Sequence, residues 1–215
     1  NDAKQLTGDT LFYDRNTGVG EAFSHMEMRD TINKNMMTGE YGYYNEKTKY
    51  AFATNKAVAI DYSQGDSLFL HADTLMMETF HLDTDSMHRE MRAFHKVRFY
   101  RTDMQGVADS LVFATKDSCL TLYKDPILWN QNQQLVGEKV CIYFNDSTIE
   151  RAHIINQVLS VEQIDSTKYN QVSGKEMKSY FRNKQMYKTE EGRALLKLQE
   201  GDTHHGGCGH CGGDE

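Results

Sequence analysis

Residues 8–18 read GDTLFYDRNTG and contain the pattern on which the fold prediction depends. Leu11 and Tyr13 are two positions apart, so their side chains fall on one face of a β-strand. Residues 14–18 are polar and end in glycine, a composition that is typical of a tight turn. The stretch therefore predicts a short strand that enters a hairpin.

The same alternation extends from Thr7 to about Tyr187. It is seen in Met26/Met28, Val58/Ile60, Leu68/Leu70, Leu111/Phe113, Leu120/Leu122 and Ile142/Phe144. Short polar stretches, such as residues 45–48 and 145–148, interrupt it and indicate turns between strands. The sequence predicts an all-β fold of stacked antiparallel hairpins, with no helix before the C-terminal end.

The chain also repeats itself at an offset of 100. Asp9-Thr10-Leu11 recurs as Asp109-Ser110-Leu111, and residues 43–48 recur as residues 143–148. This indicates an internal repeat over about 8–64 and 108–165, within which each unit buries its apolar face against the next unit. Smaller units are expected to begin at Gly8, Gly39, Gly65, Gly106, Gly137 and Gly174.

One of these units, Gly65-Asp66-Ser67-Leu68, has the letters of the GDSL serine esterases. A nucleophilic serine of that kind needs a strand-to-helix turn, and the esterases also place an Asp-x-x-His near the chain end. The nearby Asp85…His88 lies only 21 residues beyond Ser67. The letters match the repeated strand start, so we expect no catalytic residue and no enzyme.

Composition limits the remaining classes of function. The net charge of −7 provides no overall basic field for nucleic acid. The longest apolar runs, such as residues 57–60, are too short to span a membrane. The start at Asn1 has neither the charged region nor the apolar region of a signal peptide, so none is expected within this sequence.

Two motifs resemble the OstA-like family: the G-D-x-L-x-Y-D…T-G opening at residues 8–18, and the L-x-G segment at residues 135–146. The resemblance covers roughly Leu6 to Tyr187. It implies a β-jellyroll, an open V-shaped or twisted array of two sheets, that binds acyl chains between the sheets. It further implies a periplasmic, cell-envelope protein that carries lipopolysaccharide toward the outer membrane without enzymatic activity. Such domains stack by edge-strand pairing with themselves or with other jellyroll transport proteins.

The register of the units supplies candidate lipid-binding residues, because apolar pairs on one face would line up along the stack. These are Leu11, Tyr13, Leu68, Leu70, Leu111, Phe113, Val140 and Ile142. The basic stretch at residues 89–101 supplies Arg92, Lys96 and Arg98 as candidates for a headgroup phosphate. The other interpretation of this stretch is a solvated strand edge.

The C-terminal end differs in composition, which predicts a body over 1–188 and a tail over 189–215. Residues 193–199 are helix formers and predict a short helix. A glycine-rich tract follows, and its soft ligands suit adventitious zinc, although no cofactor is required. These ligands are His204, His205, Cys208, His210 and Cys211. The alternative is a terminus without a role. Cys119 and Cys141 are either half-buried apolar residues or a disulfide.

Two other functions stay open at this point, a carbohydrate-binding β-solenoid and a structural β-array without a ligand. Sugar-processing solenoids cluster carboxylates at a cleft, whereas the acids here are scattered through turns. Bound lipid in the purified protein would distinguish the first hypothesis from both alternatives.

Overall fold

The fold consists of strands joined by turns, as seen in a computed structural model that describes residues 4–63, 65–145, 148–182, 185–192 and 195–200. The strands are β1 (Lys4–Thr7), β2 (Thr10–Asp14), β3 (Val19–Asp30), β4 (Asn35–Asn45), β5 (Tyr50–Asp61), β6 (Leu68–Phe80), β7 (His88–Arg101), β8 (Met104–Ala114), β9 (Cys119–Tyr123), β10 (Ile127–Asn130), β11 (Gln133–Val136), β12 (Lys139–Asn145), β13 (Thr148–Gln163), β14 (Lys168–Arg182), β15 (Gln185–Gly192) and β16 (Leu195–Glu200). Across these residues no helical segment has the length and apolarity needed to cross a membrane.

Each long strand crosses between two halves of the molecule, which we call arm A and arm B. Arm A contains β2, β9, β12 and β15, and arm B contains β1, β10, β11 and β16. The long strands β3 to β8, β13 and β14 contribute one half to each arm, and all pairings are antiparallel. The chain therefore runs back and forth between the arms as successive hairpins. The predicted all-β fold is confirmed, and its strands form one continuous 16-stranded sheet that bends between the arms.

The bend between the arms is built the same way along the chain, and we call this line of bends the seam. Alternate long strands carry two consecutive residues with positive φ, namely Ser24/His25, Asn55/Lys56, His95/Lys96 and Asn156/Gln157, and the pairing register shifts at these places. Lys124 and Asp125 also have positive φ and lie between β9 of arm A and β10 of arm B. Such irregularities bend a strand sharply, which directs it from one arm into the other.

Opposite these residues, the neighbouring strands place a small residue followed by a charged one. The pairs are Gly8-Asp9, Gly39-Glu40, Ala72-Asp73, Ala108-Asp109, Gly137-Glu138 and Gly174-Lys175. At Gly39 a Cβ atom would lie 2.9 Å from the carbonyl oxygen of Thr54, so the bend requires glycine there. The acids contact cations across the seam: Asp9 lies 2.9 Å from His25, and Asp73 lies 3.2 Å from Lys96.

Asp109 has the most partners on the seam, and we expect Asp109→Asn to lower the melting temperature at neutral pH. Hydrogen bonds from Ser110, Lys124 and His95 lower the pKa of this carboxyl. A carboxyl with a lowered pKa stabilises the fold above its ordinary pKa, and the stabilisation is lost as the pH falls through the lowered value. The difference in melting temperature between wild type and Asp109→Asn should therefore become smaller only below about pH 4. A difference that is absent at neutral pH would contradict this role.

Inward-facing side chains form rows that run across the strands at constant register. The deep row of arm A contains Leu11, Ala22, Gly42, Ala53, Leu75, Ala93, Leu111, Leu122, Val140, Ile154 and Met177. The middle row, one layer nearer the turns, contains Tyr13, Gly20, Tyr44, Ala51, Met77, Met91, Phe113, Leu120, Ile142, Ala152 and Ser179. The facing row of arm B contains Leu6, Met28, Met37, Ala59, Leu70, Phe99, Gly106, Leu128, Leu135, Ser160 and Val172. Together the rows form one core.

Gly106 is required where Phe99 and Leu128 close over β8. A Cβ atom at this position would lie 2.8 Å from Cδ2 of Leu128 and closer still to the Phe99 ring. Gly106→Ala is expected to reduce the free energy of unfolding by about 1–3 kcal/mol, because both neighbours are buried and must shift. Gly65→Ala is the control, since nothing lies within 4 Å of its Cβ position. Urea denaturation of both variants measures the difference, and equal stability would contradict the packing argument.

The C-terminal end differs from the prediction. The helix expected over residues 193–199 is wrong, because Leu195–Glu200 form strand β16, which pairs with β14. The edge of β14 offers a complete set of backbone partners, and that tertiary pairing overrides helix propensity. The sheet thus continues past the boundary expected near residue 188.

The glycine-led units also need correction. Gly65 lies in the β5–β6 loop, whereas the seam position in β6 is Ala72-Asp73. Likewise, the seam position in β8 is Ala108-Asp109 and not Gly106. The repeated feature is a small residue followed by a charged one. A search for glycine alone does not find it, because alanine occupies the position in β6 and β8.

Candidate functional site

A cavity of about 450 Å³ lies between the two arms in the N-terminal half of the array. Its walls come from β1, from β3 to β8 and from the β6–β7 turn. Seven of the eleven methionines line it, namely Met28, Met36, Met37, Met76, Met77, Met87 and Met91. The volume falls within the range of about 300–1,000 Å³ that is typical of sites for small molecules.

The side chains of the middle row differ between the cavity and the C-terminal part of the array. In the cavity the row contains Tyr44, Ala51, Met77, Met91 and Phe113, and Ala59 lies on the facing row of arm B. Farther along the same row, Leu120 and Ile142 are buried and fill the interior. Alanine leaves space, and methionine is unbranched and flexible, so it adapts its shape to a guest. The sequence of the row thus encodes the position of the cavity.

The mouth of the cavity is polar on the arm A side. Lys49, Thr79, Arg89 and Thr115 line it from neighbouring strands and turns. The Thr79 hydroxyl donates to the carbonyl oxygen of Lys49 at 3.4 Å, and the Arg89 N–H donates to the Thr115 hydroxyl at 2.8 Å. Burial raises the pKa of Tyr44, whereas the nearby Arg89 guanidinium opposes that rise.

The arm B side of the mouth carries Asp30 and Asp61. Asp30 accepts hydrogen bonds from the backbone N–H groups of Ile32 and Asn33, at 3.1 and 2.9 Å. Asp61 accepts one from Ser63 at 2.8 Å. Partial burial opposes ionisation of Asp30, but the hydrogen bonds from Asn33 prevail and lower its pKa. Both acids therefore cap the turns that follow their strands.

All eight predicted lipid-binding side chains lie on inward-facing rows, but they occupy different surroundings. Leu68, Leu70 and Phe113 line the cavity. Three others are buried in packed parts of the core, namely Leu111, Val140 and Ile142. Leu11 and Tyr13 lie on the edge strand β2, where they are 48% and 52% exposed. The structure thus brings three of the eight together around one space.

The three cations predicted for a headgroup phosphate are not brought together. Arg92 lies on arm A and pairs with Glu90 at 2.6 Å and with Glu78 at 3.5 Å. Lys96 lies on the seam beside Asp73. Arg98 is exposed on arm B, between the inward-facing Val97 and Phe99.

The predicted metal ligands fall outside the described residues, as do their surroundings. They are His204, His205, Cys208, His210 and Cys211. Within the described ranges, no group of three or more His, Cys, Asp or Glu is arranged to hold a metal ion. Zinc binding by the tail stays a prediction. Cys119 and Cys141 are free thiols on neighbouring strands, both close to the Thr121 hydroxyl.

Ser67 lies in the loop that joins two antiparallel strands, β5 and β6, and not at a strand-to-helix turn. Ser67→Ala is therefore expected to leave the free energy of unfolding within about 0.5 kcal/mol of wild type. We also expect no change in hydrolysis of a short-chain aryl ester. Ester hydrolysis that wild type supports and the variant lacks would establish a nucleophile instead.

The methionines are the cavity-lining residues that the sequence analysis missed. They occur in close groups, at residues 26–28, 36–37, 76–77 and 87–91. A flexible apolar residue used repeatedly in half of a chain is a signal for an adaptable binding surface. Alternation alone hides this signal, because it counts methionine and leucine equally.

No protein-family model matches the sequence. A curated protein from Clostridium beijerinckii, described as an uncharacterized protein in the adh 3' region, is 63% identical over 35 residues. That match covers 16% of this chain and 12% of the curated protein's length. Among solved structures, the chain is similar to LptH of Pseudomonas aeruginosa, described as the LptA homologous periplasmic component of the lipopolysaccharide transport device. The identity is 10% and the TM-score 0.41, over 51% of this chain and 74% of that one, so the functional proposal rests on the cavity and its lining.

Proposed function

We propose that this chain is a lipid-binding domain that holds an acyl chain in the methionine-lined cavity. The observation that carries the proposal is a hollow between the arms that is lined by flexible apolar side chains. The hollow opens to solvent between polar residues, as a site for an amphiphile requires. In this proposal the domain binds and transfers lipid, and it performs no chemistry.

The size of the cavity suits one acyl chain. At roughly 30 Å³ per water-sized group, 450 Å³ holds about fifteen such groups. Ten buried methylenes would contribute about 8 kcal/mol. Association costs about 4–15 kcal/mol in lost freedom of motion, so the net affinity from one chain is modest. Modest affinity suits a carrier that must release its lipid.

We further propose that the lipid is lipopolysaccharide and that the domain acts in the periplasm, on the way to the outer membrane. The repeated motifs that resemble the OstA-like family support this choice. Among the strands that the structure describes, β1 and β2 pair only with β3, so they form an open edge. Leu11 and Tyr13 present apolar surface at that edge. Another jellyroll, or a second copy of this chain, would extend the sheet and the apolar interior there.

The alternatives, a carbohydrate-binding or a purely structural β-solenoid, call for an interior that is filled along its whole length. The N-terminal half departs from this, since Ala51 and Ala59 face a cavity where larger side chains would close it. The seam acids are engaged with cations or amides, as Glu138 is with Asn156 at 3.0 Å. These observations favour the lipid-binding function.

Photo-crosslinking tests the proposal directly. A crosslinker at Leu70 or Phe113 is expected to capture lipopolysaccharide in cells that make it. A crosslinker at Ser110, on the outward face of the same strand as Phe113, is the matched control and should capture none. Equal capture from both faces, or none from either in folded protein, would refute lipid transport. A mass spectrum of the organic extract from purified protein identifies the lipid independently.

A further inference from the structure

The geometry points to a headgroup site at the mouth of the cavity. We propose that Lys49, Thr79, Arg89 and Thr115 bind the phosphate of the lipid whose acyl chain fills the cavity. This inference rests on the proposed function, and it specifies the chemical class of the ligand as a phosphate-bearing amphiphile.

The four residues form one row along the edge of arm A. Thr79 pairs with Arg89 in register, and backbone hydrogen bonding joins Arg89 to Thr115. The Thr79 hydroxyl contacts the backbone of Lys49, which completes the row. Thr79 and Arg89 each lie two positions from a middle-row residue of the same strand, so they face inward. Lys49 and Thr115 lie in the adjoining turns and also line the cavity. That adjacent part of the middle row consists of Ala51, Met77, Met91 and Phe113.

The side chains change from apolar to charged between the core and the mouth of the cavity. The deep row, with Leu75 and Leu111, is buried. The middle row supplies methionine and alanine, and the mouth row supplies two cations and two hydroxyls. This order matches an amphiphile with its tail inward and its anionic head at the mouth. A free phosphate would have no use for the apolar half of the site.

The two cations are available for a ligand. Among the residues that the structure describes, neither Lys49 nor Arg89 is in an ion pair. In contrast, Arg29 pairs with Glu27 at 2.7 Å, and Arg101 pairs with Asp103. Arg89 is half-buried, and a partly desolvated guanidinium without a counterion favours a bound anion.

The acids on the opposite side of the mouth do not neutralise this row. Asp30 and Asp61 are held by the N–H groups of their own turns. Asp30 also has a cation of its own, Lys4, at 3.6 Å. On the arm A side the lining also includes Asp83 and Glu90, and Glu90 pairs with Arg92 at 2.6 Å, so Lys49 and Arg89 supply the positive charge that faces the cavity.

Three probes separate the contributions of tail and head: lauroyl lysophosphatidic acid, monolauroylglycerol, which lacks only the phosphate, and glycerol 3-phosphate, which lacks only the tail. We expect the lysophosphatidic acid to bind most tightly in calorimetric titration. The Lys49→Gln/Arg89→Gln double variant should weaken its binding about 100-fold, or about tenfold for each charged contact. Binding of monolauroylglycerol should change little, and Arg98→Gln, at an exposed position of arm B outside the cavity lining, should affect neither lipid.

The outcomes distinguish this inference from the function on which it rests. Equal wild-type affinity for the two lipids would overturn the headgroup site and leave the acyl site intact. Binding of neither lipid to folded protein would overturn both. Glycerol 3-phosphate that binds as tightly as the lysophosphatidic acid would mean a site for free phosphate. If the double variant does not fold, salt titration of wild type decides, because added salt should weaken only binding of the charged lipid.

Discussion

Met77→Arg is expected to abolish acyl binding and to leave the protein folded. Met77 lies on the middle row between Ala51 and Met91, at the wall of the cavity. The arginine stem would occupy the volume of the acyl chain, and its guanidinium would extend toward the polar mouth, where water is accessible. We expect an affinity loss of more than about 100-fold, because the lipid would have to displace the side chain and bury a charge. Titration with lauroyl lysophosphatidic acid measures the affinity, and a thermal melt shows whether the variant is folded.

The control for this variant is Val112→Arg, on the outward face of β8 next to Phe113. It introduces the same charge on a cavity-forming strand but points it away from the cavity, so binding should persist. If Met77→Arg binds lipid as wild type does while its melt is normal, the cavity is not the acyl site.

Leu111→Arg is expected to unfold the protein. Leu111 is on the deep row with 1% of its surface exposed, between Ala93 and Leu122. Neither neighbour offers a counterion, so the buried charge would be unpaired. The free-energy cost of such a charge is large compared with the roughly 5–15 kcal/mol by which most domains are stable. We expect no cooperative thermal transition by circular dichroism, and recovery mainly in the insoluble fraction.

Leu111→Ala provides the graded comparison, with an expected loss of about 2–5 kcal/mol in the free energy of unfolding. A soluble Leu111→Arg variant that melts near wild type would mean that the deep row lines an open trough along its whole length. That outcome would return Leu111, Val140 and Ile142 to the lipid-binding surface.

The period-2 pattern was sufficient to predict that the body consists of strands and that the apolar candidate residues face inward, but it did not predict strand β16. Leu68, Leu70 and Phe113 face the cavity because alternation and register are local properties. Alternation does not reveal whether an inward row is packed or hollow, since Ile142 and Met77 satisfy it equally. That distinction depends on side-chain volume summed over several strands, which emerges only when the register of every pair is known.

The charged stretch at residues 89–101 shows a second limit. Arg92 and Arg98 are close in sequence, but the bend at His95 and Lys96 places them on different arms. The cations at the mouth, Lys49 and Arg89, are 40 residues apart in sequence, and both lie next to Thr79 of β6 because β6 pairs with β5 and with β7. A site formed across hairpins has no signature in any short window of sequence.

The construction of the seam affects how the length of the strand array can change. Each hairpin contains its own bend and its own complementary partners, as Asp9 and His25 do in the first and Asp73 and Lys96 do in the middle of the array. Inserting or deleting a whole hairpin would therefore preserve the curvature of both arms. Under the proposed function, the number of hairpins would set the distance over which a lipid can move along the array, and side-chain size along the middle row would set the position at which it binds. The two properties would then be able to change independently of each other.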